Sequence, residues 1–163
     1  MNKILISACL LGQPVRYDGN AKLQRHPGLE ALLAQDRVVG FCPEVAGGLP
    51  VPRAAAEIQS GDGAAVIAGS VRVTTRDGSD VTRFFLAGAE QALALCREHR
   101  IAVAVLTESS PSCGSGQIYD GSFSRNAVAG SGVTTALLRA NGIEVFSHKQ
   151  LDAALERLES AGE

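Results

Sequence analysis

The segment Ile101–Leu106, IAVAVL, is apolar and of strand length. A strand with one face in water alternates apolar and polar residues, so a strand like this one is covered on both faces. It follows the longest helical pattern in the chain, residues 81–99, where Phe85, Leu86, Ala89, Ala92, Leu93 and Cys96 fall on one stripe. Lys3 to Ala8 is a second apolar run of strand length, Arg37 to Phe41 a third and Glu144 to Phe146 a short fourth. Helical patterns lie between and after them. Leu29, Leu32 and Leu33 keep helical spacing within 27–35. A helix runs from a Ser131 cap to about Ala140 and stops at Asn141-Gly142. Ser147 and Gln150 form a capping box before a last helix striped by Leu151, Ala154, Leu155 and Leu158. Strands alternating with helices specify an α/β fold: a doubly wound, Rossmann-like parallel sheet with helices on both faces. The length of 163 residues suits a single α/β domain over 1–163.

Three stretches fall outside that alternation. Residues 43–52 are dense in Gly and Pro and are expected to be irregular. Ala64 to Thr75, followed by Asp77-Gly78, reads as a small exposed hairpin or irregular insertion. Pro111 to Asn126 is a long Ser/Gly-rich loop, a length usually kept for function.

Composition sets the class of partner. With 45% hydrophobic and 20% charged residues, the chain is an ordinary globular protein. A formal net charge of -2 gives no footprint for general nucleic-acid binding, which favours a basic surface. The first apolar run is broken by Gly12, Pro14 and Arg16, so it reads as a strand entering a loop, not a signal peptide. No apolar stretch is long enough for a membrane span, and no membrane association is expected. The expected location is cytoplasmic, where thiols stay reduced and clustered cysteines serve as ligands or catalysts.

Three of the four cysteines come just after a strand, in loops rich in Gly, Pro and charge. They are Cys9 in SACLLG, Cys42 in FCPEV and Cys113 in SPSCG. The carboxyl ends of parallel strands share one edge, where sites form, so residues distant in sequence meet there. Three thiolates at one point make a metal or iron–sulfur ligand set with a position left open. There is no CxxC spacing, so the pattern is neither a zinc ribbon nor a ferredoxin-type run. Spacing alone fits three unrelated buried thiols equally well. Cys96 lies on the buried stripe of the long helix and reads as a small hydrophobe. His26, His99 and His148 stand at helix ends and read as surface or capping residues.

Carboxylates and hydroxyls surround the three cysteines in sequence. Arg16 and Asp18 follow Cys9, Glu44 follows Cys42, and Arg53 and Glu57 end the glycine-proline loop. Glu108, Ser109, Ser110 and Ser112 precede Cys113. A carboxylate in a dry site has a raised pKa and serves as acid or base.

The blocks SACLLG with VRYDG, then CPEVAGGLPVPRAAAEI, then LTESSPSCGSGQIYDGSF together resemble the thiouracil desulfurase family, over Ser7 to Phe123. The resemblance implies a 4Fe-4S cluster held by Cys9, Cys42 and Cys113, with one open iron accepting the sulfur of a thiolated nucleobase. It implies Glu44 and Ser109 as catalytic residues. Arg16, Asp18 and Ser112 are then the candidates for substrate binding, and a small thiolated nucleobase the partner. Two other readings of the residues compete: a metal-free cysteine or persulfide sulfur transferase, and a non-enzymatic zinc-binding module.

Overall fold

Ile4, Leu5 and Ile6 send side chains alternately to two sides, and all three are buried. The strand they form must therefore be roofed twice, and the rest of the chain supplies both roofs. A computed structural model describes residues 1–161. In chain order its elements are β1 (Ile4–Ser7), α1 (Pro27–Ala34), β2 (Val38–Phe41), α2 (Pro43–Ala46), β3 (Ala56–Ile58), α3 (Gly63–Ile67), β4 (Val73–Thr75), α4 (Thr82–His99), β5 (Val103–Leu106), β6 (Gln117–Tyr119), β7 (Ala127–Ala129), α5 (Val133–Ala140), β8 (Glu144–Ser147) and α6 (Leu151–Ala161).

Four strands make the central sheet in the order β2-β1-β5-β8, all parallel. Ile4, Ile6, Val103 and Val105 pack on Leu29 and Leu32 of α1 and on Leu151, Ala154 and Leu158 of α6. On the opposite face Leu5, Ala104 and Val145 meet Ala92, Leu93 and Cys96 of α4 and Leu138 of α5. The expected doubly wound sheet is thus present, and Cys96 is buried in its core. From β1 the chain steps out to β2, then crosses back over β1 to β5. The strand order reverses between β1 and β5, and a crevice opens at such a point beyond the carboxyl ends.

A third cluster lies on the outer side of α4. Phe85 and Ala89 pack there with Ile58, Val66, Val73, Ile118 and Val133. It explains the failure of the exposed-hairpin expectation for 64–75. That stretch holds α3, whose Asp62 cap accepts the Ala65 N–H at 3.1 Å, and then β4, which pairs antiparallel with β3. Val66 and Val73 are buried on Phe85 rather than exposed. The Asp77-Gly78 turn is real, with Gly78 at φ 87°.

Three further expectations change. Residues 43–46 are helical, because Pro43 occupies the first helical position, where its missing N–H costs nothing. The 111–126 loop contains β6, which pairs with β7. Helix α5 is capped by Gly132, not Ser131.

Candidate active site

All three strand-end cysteines line one cavity of about 490 Å³ at the carboxyl edge of the sheet. That volume suits a bound small molecule or cofactor. Each thiol reaches it by a different local device.

Cys9 sits in a single turn of 3-10 helix, Ala8–Leu11, directly after β1. Gly12 ends the turn in the left-handed region, at φ 94°. The Cys9 carbonyl accepts the Lys22 N–H at 2.8 Å, which ties the following loop back to the strand end. Cys42 is the N-cap of α2, so Glu44 lies in the first turn of that helix. Helix α2 lies so close to α4 that a Cβ on Gly88 would come 2.0 Å from the Pro43 carbonyl oxygen.

Cys113 is held by the start of α5. The first N–H groups of a helix need acceptors, and here the cysteine loop provides them. Val133 N–H donates to the Pro111 carbonyl at 2.8 Å and Thr134 N–H to the Ser112 carbonyl at 2.9 Å. The Thr135 hydroxyl donates to the Cys113 carbonyl at 2.9 Å. A side chain at Gly132 would collide with the Ser112 carbonyl group, so this cap must be glycine.

Burial pushes all three thiols up from the ordinary cysteine value. Cys113 is raised furthest, first by burial and then by the negative charges of Cys42, Glu44 and Cys9. The four groups therefore share one electrostatic environment. Buried thiolates that repel one another call for a cation between them. Among the described residues, no three His, Cys, Asp or Glu side chains converge as a single metal ion requires. Thiolate sulfur is the donor that iron–sulfur clusters take, so three cysteines on one cavity fit such a cluster.

Glu44 is the carboxylate beside these thiols. Burial raises its pKa, and Arg53 and Ser110 work against the rise. Arg53 Nε is 3.4 Å from Glu44 Oε1. Its other nitrogens donate to the Pro50 and Val15 carbonyls, both at 3.1 Å, so the guanidinium is fixed. Ser110 Oγ accepts the N–H groups of Ser112 and Cys113, each at 3.1 Å. Its own proton then goes to Glu44 Oε2, 3.3 Å away.

The candidates named from the sequence divide accordingly. Glu44, Ser109 and Arg16 line the cavity with the three cysteines. Ser109 makes no hydrogen bond to Glu44; its hydroxyl accepts from Gln117 Nε2 at 3.0 Å. Ser112 is fully buried with its hydroxyl 2.7 Å from that of Thr134, so it supports the loop rather than meeting a substrate. Asp18 is exposed in a turn where it accepts the Asn20 N–H at 3.0 Å, outside the cavity lining. Ser110 and His148 are among the cavity residues that the sequence reading gave no role. Ser110 precedes Pro111 in a serine turn that returns its oxygen to following N–H groups, a local signal the sequence does carry. His148, read as a helix cap, also lines the cavity.

Comparison with known proteins identifies the family. The family model described as 2-thiouracil desulfurase matches residues 4–150. The Uncharacterized protein YbbK of Bacillus subtilis (strain 168) is 41% identical over 152 residues, spanning 93% of this chain and 99% of its own. A solved structure of a 4Fe-4S-dependent thiouracil desulfidase, TudS, is 52% identical and covers 98% of this chain and 99% of its own, with a TM-score of 0.89. The chain belongs to the 2-thiouracil desulfurase family.

Proposed function

We propose that this protein removes sulfur from a thiolated pyrimidine such as 2-thiouracil, with a 4Fe-4S cluster held by Cys9, Cys42 and Cys113. The observation that carries the reading is the cavity that three strand-end thiols share with the buried carboxylate of Glu44. The solved relative TudS is described as 4Fe-4S-dependent, which supports the same cofactor here. When bound, a cluster with one iron free of protein ligands supplies a Lewis-acidic, sulfur-seeking site.

The chain's own residues account for the rest. Both tyrosines of the chain, Tyr17 and Tyr119, line the cavity with Phe41 and Phe123, aromatic groups of the kind a flat base packs against. Glu44 takes a proton from water, whose oxygen attacks the carbon that bears sulfur. Arg53 and Ser110 hold the carboxylate in place from both oxygens. The C–O bond forms, the C–S bond breaks, and the water's hydrogens leave with sulfur as hydrogen sulfide. No electron is gained or lost. Ser110 is the serine joined to the base, and Ser109 and Arg16 are the candidates for contact with substrate.

No helix among the described residues is long and apolar enough to cross a membrane. With four free cysteines, the chain suits the reducing cytoplasm. The testing experiment is release of uracil from 2-thiouracil by anaerobically reconstituted protein. Uracil and sulfide should appear in equal amounts without added reductant. A protein that retains its iron yet releases no uracil contradicts the reading.

A further inference from the structure

Each strand of the central sheet delivers groups to the cavity from its carboxyl end. Strand β1 brings Cys9, β2 brings Cys42 and Glu44, β5 brings Ser109 and Ser110, and β8 brings His148. His148 alone has no part in the chemistry above. The backbone N–H of Glu108 lies 3.3 Å from its Nδ1. A backbone N–H can only donate, so Nδ1 is the acceptor and the neutral ring carries its hydrogen on Nε2. That bond is the ring's only one to protein among the described residues. The surroundings also favour the neutral ring. Burial lowers its pKa most, Lys22, Lys149 and Arg16 lower it further, and only Glu108 opposes them.

We propose that the Nε2–H of His148 is a specificity-determining donor to the ring oxygen of the thiobase, the oxygen that the reaction leaves in place. This rests on the cavity being a thiobase site. A neutral imidazole with its tautomer fixed gives one N–H and offers no free acceptor. It therefore complements a carbonyl oxygen and rejects an amino group at the same position. The site is thereby matched to 2-thiouracil over 2-thiocytosine, which carries an amino group where 2-thiouracil has oxygen. A polar group left facing the wrong partner in a closed site is the usual source of such discrimination.

The test is calorimetric binding of uracil, cytosine and pyrimidin-2-one, which lacks the oxygen in question, to reconstituted protein under anaerobic conditions. His148→Gln places a donor near Nε2 but loses the acceptor for Glu108. His148→Asn keeps an acceptor near Nδ1 but loses the donor. Wild type should bind uracil more tightly than cytosine or pyrimidin-2-one. His148→Asn should lose about tenfold on uracil and nothing on pyrimidin-2-one, and His148→Gln should keep most of the uracil affinity. If Asn preserves uracil binding and Gln does not, the ring serves only to hold Glu108 and the assignment is overturned. Equal losses on uracil and pyrimidin-2-one overturn it too, as does a wild type with no preference. Turnover of 2-thiouracil by the same samples separates the two ideas. Selective uracil binding without turnover refutes desulfuration and leaves the His148 donor standing. Turnover with uracil binding insensitive to His148 refutes the donor alone.

Discussion

Ser109 and Ser110 are neighbours, yet their hydroxyls belong to different networks. Ser109 adopts a left-handed backbone at φ 68°, uncommon for a residue with a side chain, and accepts from Gln117. Ser110 turns inward, accepts from two N–H groups and donates its own O–H to Glu44. Sequence alone offers both as hydroxyls in one loop. The choice between them depends on which one faces α2, and no local pattern encodes that. Two outcomes follow at this scale. Glu44→Gln should keep iron and fold but lose turnover by about 100- to 10,000-fold, the usual cost of losing a general base. With iron content matched, Ser110→Ala should lose more turnover than Ser109→Ala. The kcat values of the three variants on 2-thiouracil decide both points. Near-normal turnover by Glu44→Gln would remove it as the base.

At the scale of elements, the site depends on close contacts between backbones. Gly47 of the α2 cap and Gly88 of α4 face each other's helices. A Cβ on Gly47 would come 2.0 Å from the Phe84 carbonyl oxygen, as one on Gly88 would from that of Pro43. Gly88→Ala should therefore push α2 away and carry Cys42 and Glu44 with it. Overpacking of this kind typically costs about 1–3 kcal/mol, so thermal melting should fall and iron retention with it. An unchanged melting temperature and iron content would show that the contact is not needed.

The sequence shows the long α4 stripe and the apolar strands because they repeat their period several times. It hides α2 because four residues are too few to show a period among so many glycines and prolines. It hides the role of 64–75 because Val66 and Val73 are covered by the outer side of α4, which has no counterpart in local patterning. Cys96 is legible for the same reason as α4. Burial raises its pKa to about 11, so at neutral pH it is a protonated thiol in the core. Iodoacetamide should label it only after unfolding, and Cys96→Ala should cost about 1 kcal/mol by denaturant titration while leaving iron in place.

Across the whole molecule, the fold makes the ligand set. Cys9, Cys42 and Cys113 follow three different strands, and only the parallel order β2-β1-β5 brings their loops to one edge. That much follows from strand-end position, which the sequence shows plainly. The tilt of each thiol toward the cavity comes from Gly12, the α2 cap and the start of α5, and it appears only with tertiary packing. Because each cysteine rides on a separate connection, none can replace another. The central claim is met most directly by iron and acid-labile sulfide per chain in anaerobically reconstituted wild type and four single variants. Wild type and Cys96→Ala should carry about four of each per chain, as a four-iron cluster requires. Cys9→Ala, Cys42→Ala and Cys113→Ala should each carry far less. Loss of iron in Cys96→Ala, or full retention in Cys113→Ala, would contradict the account.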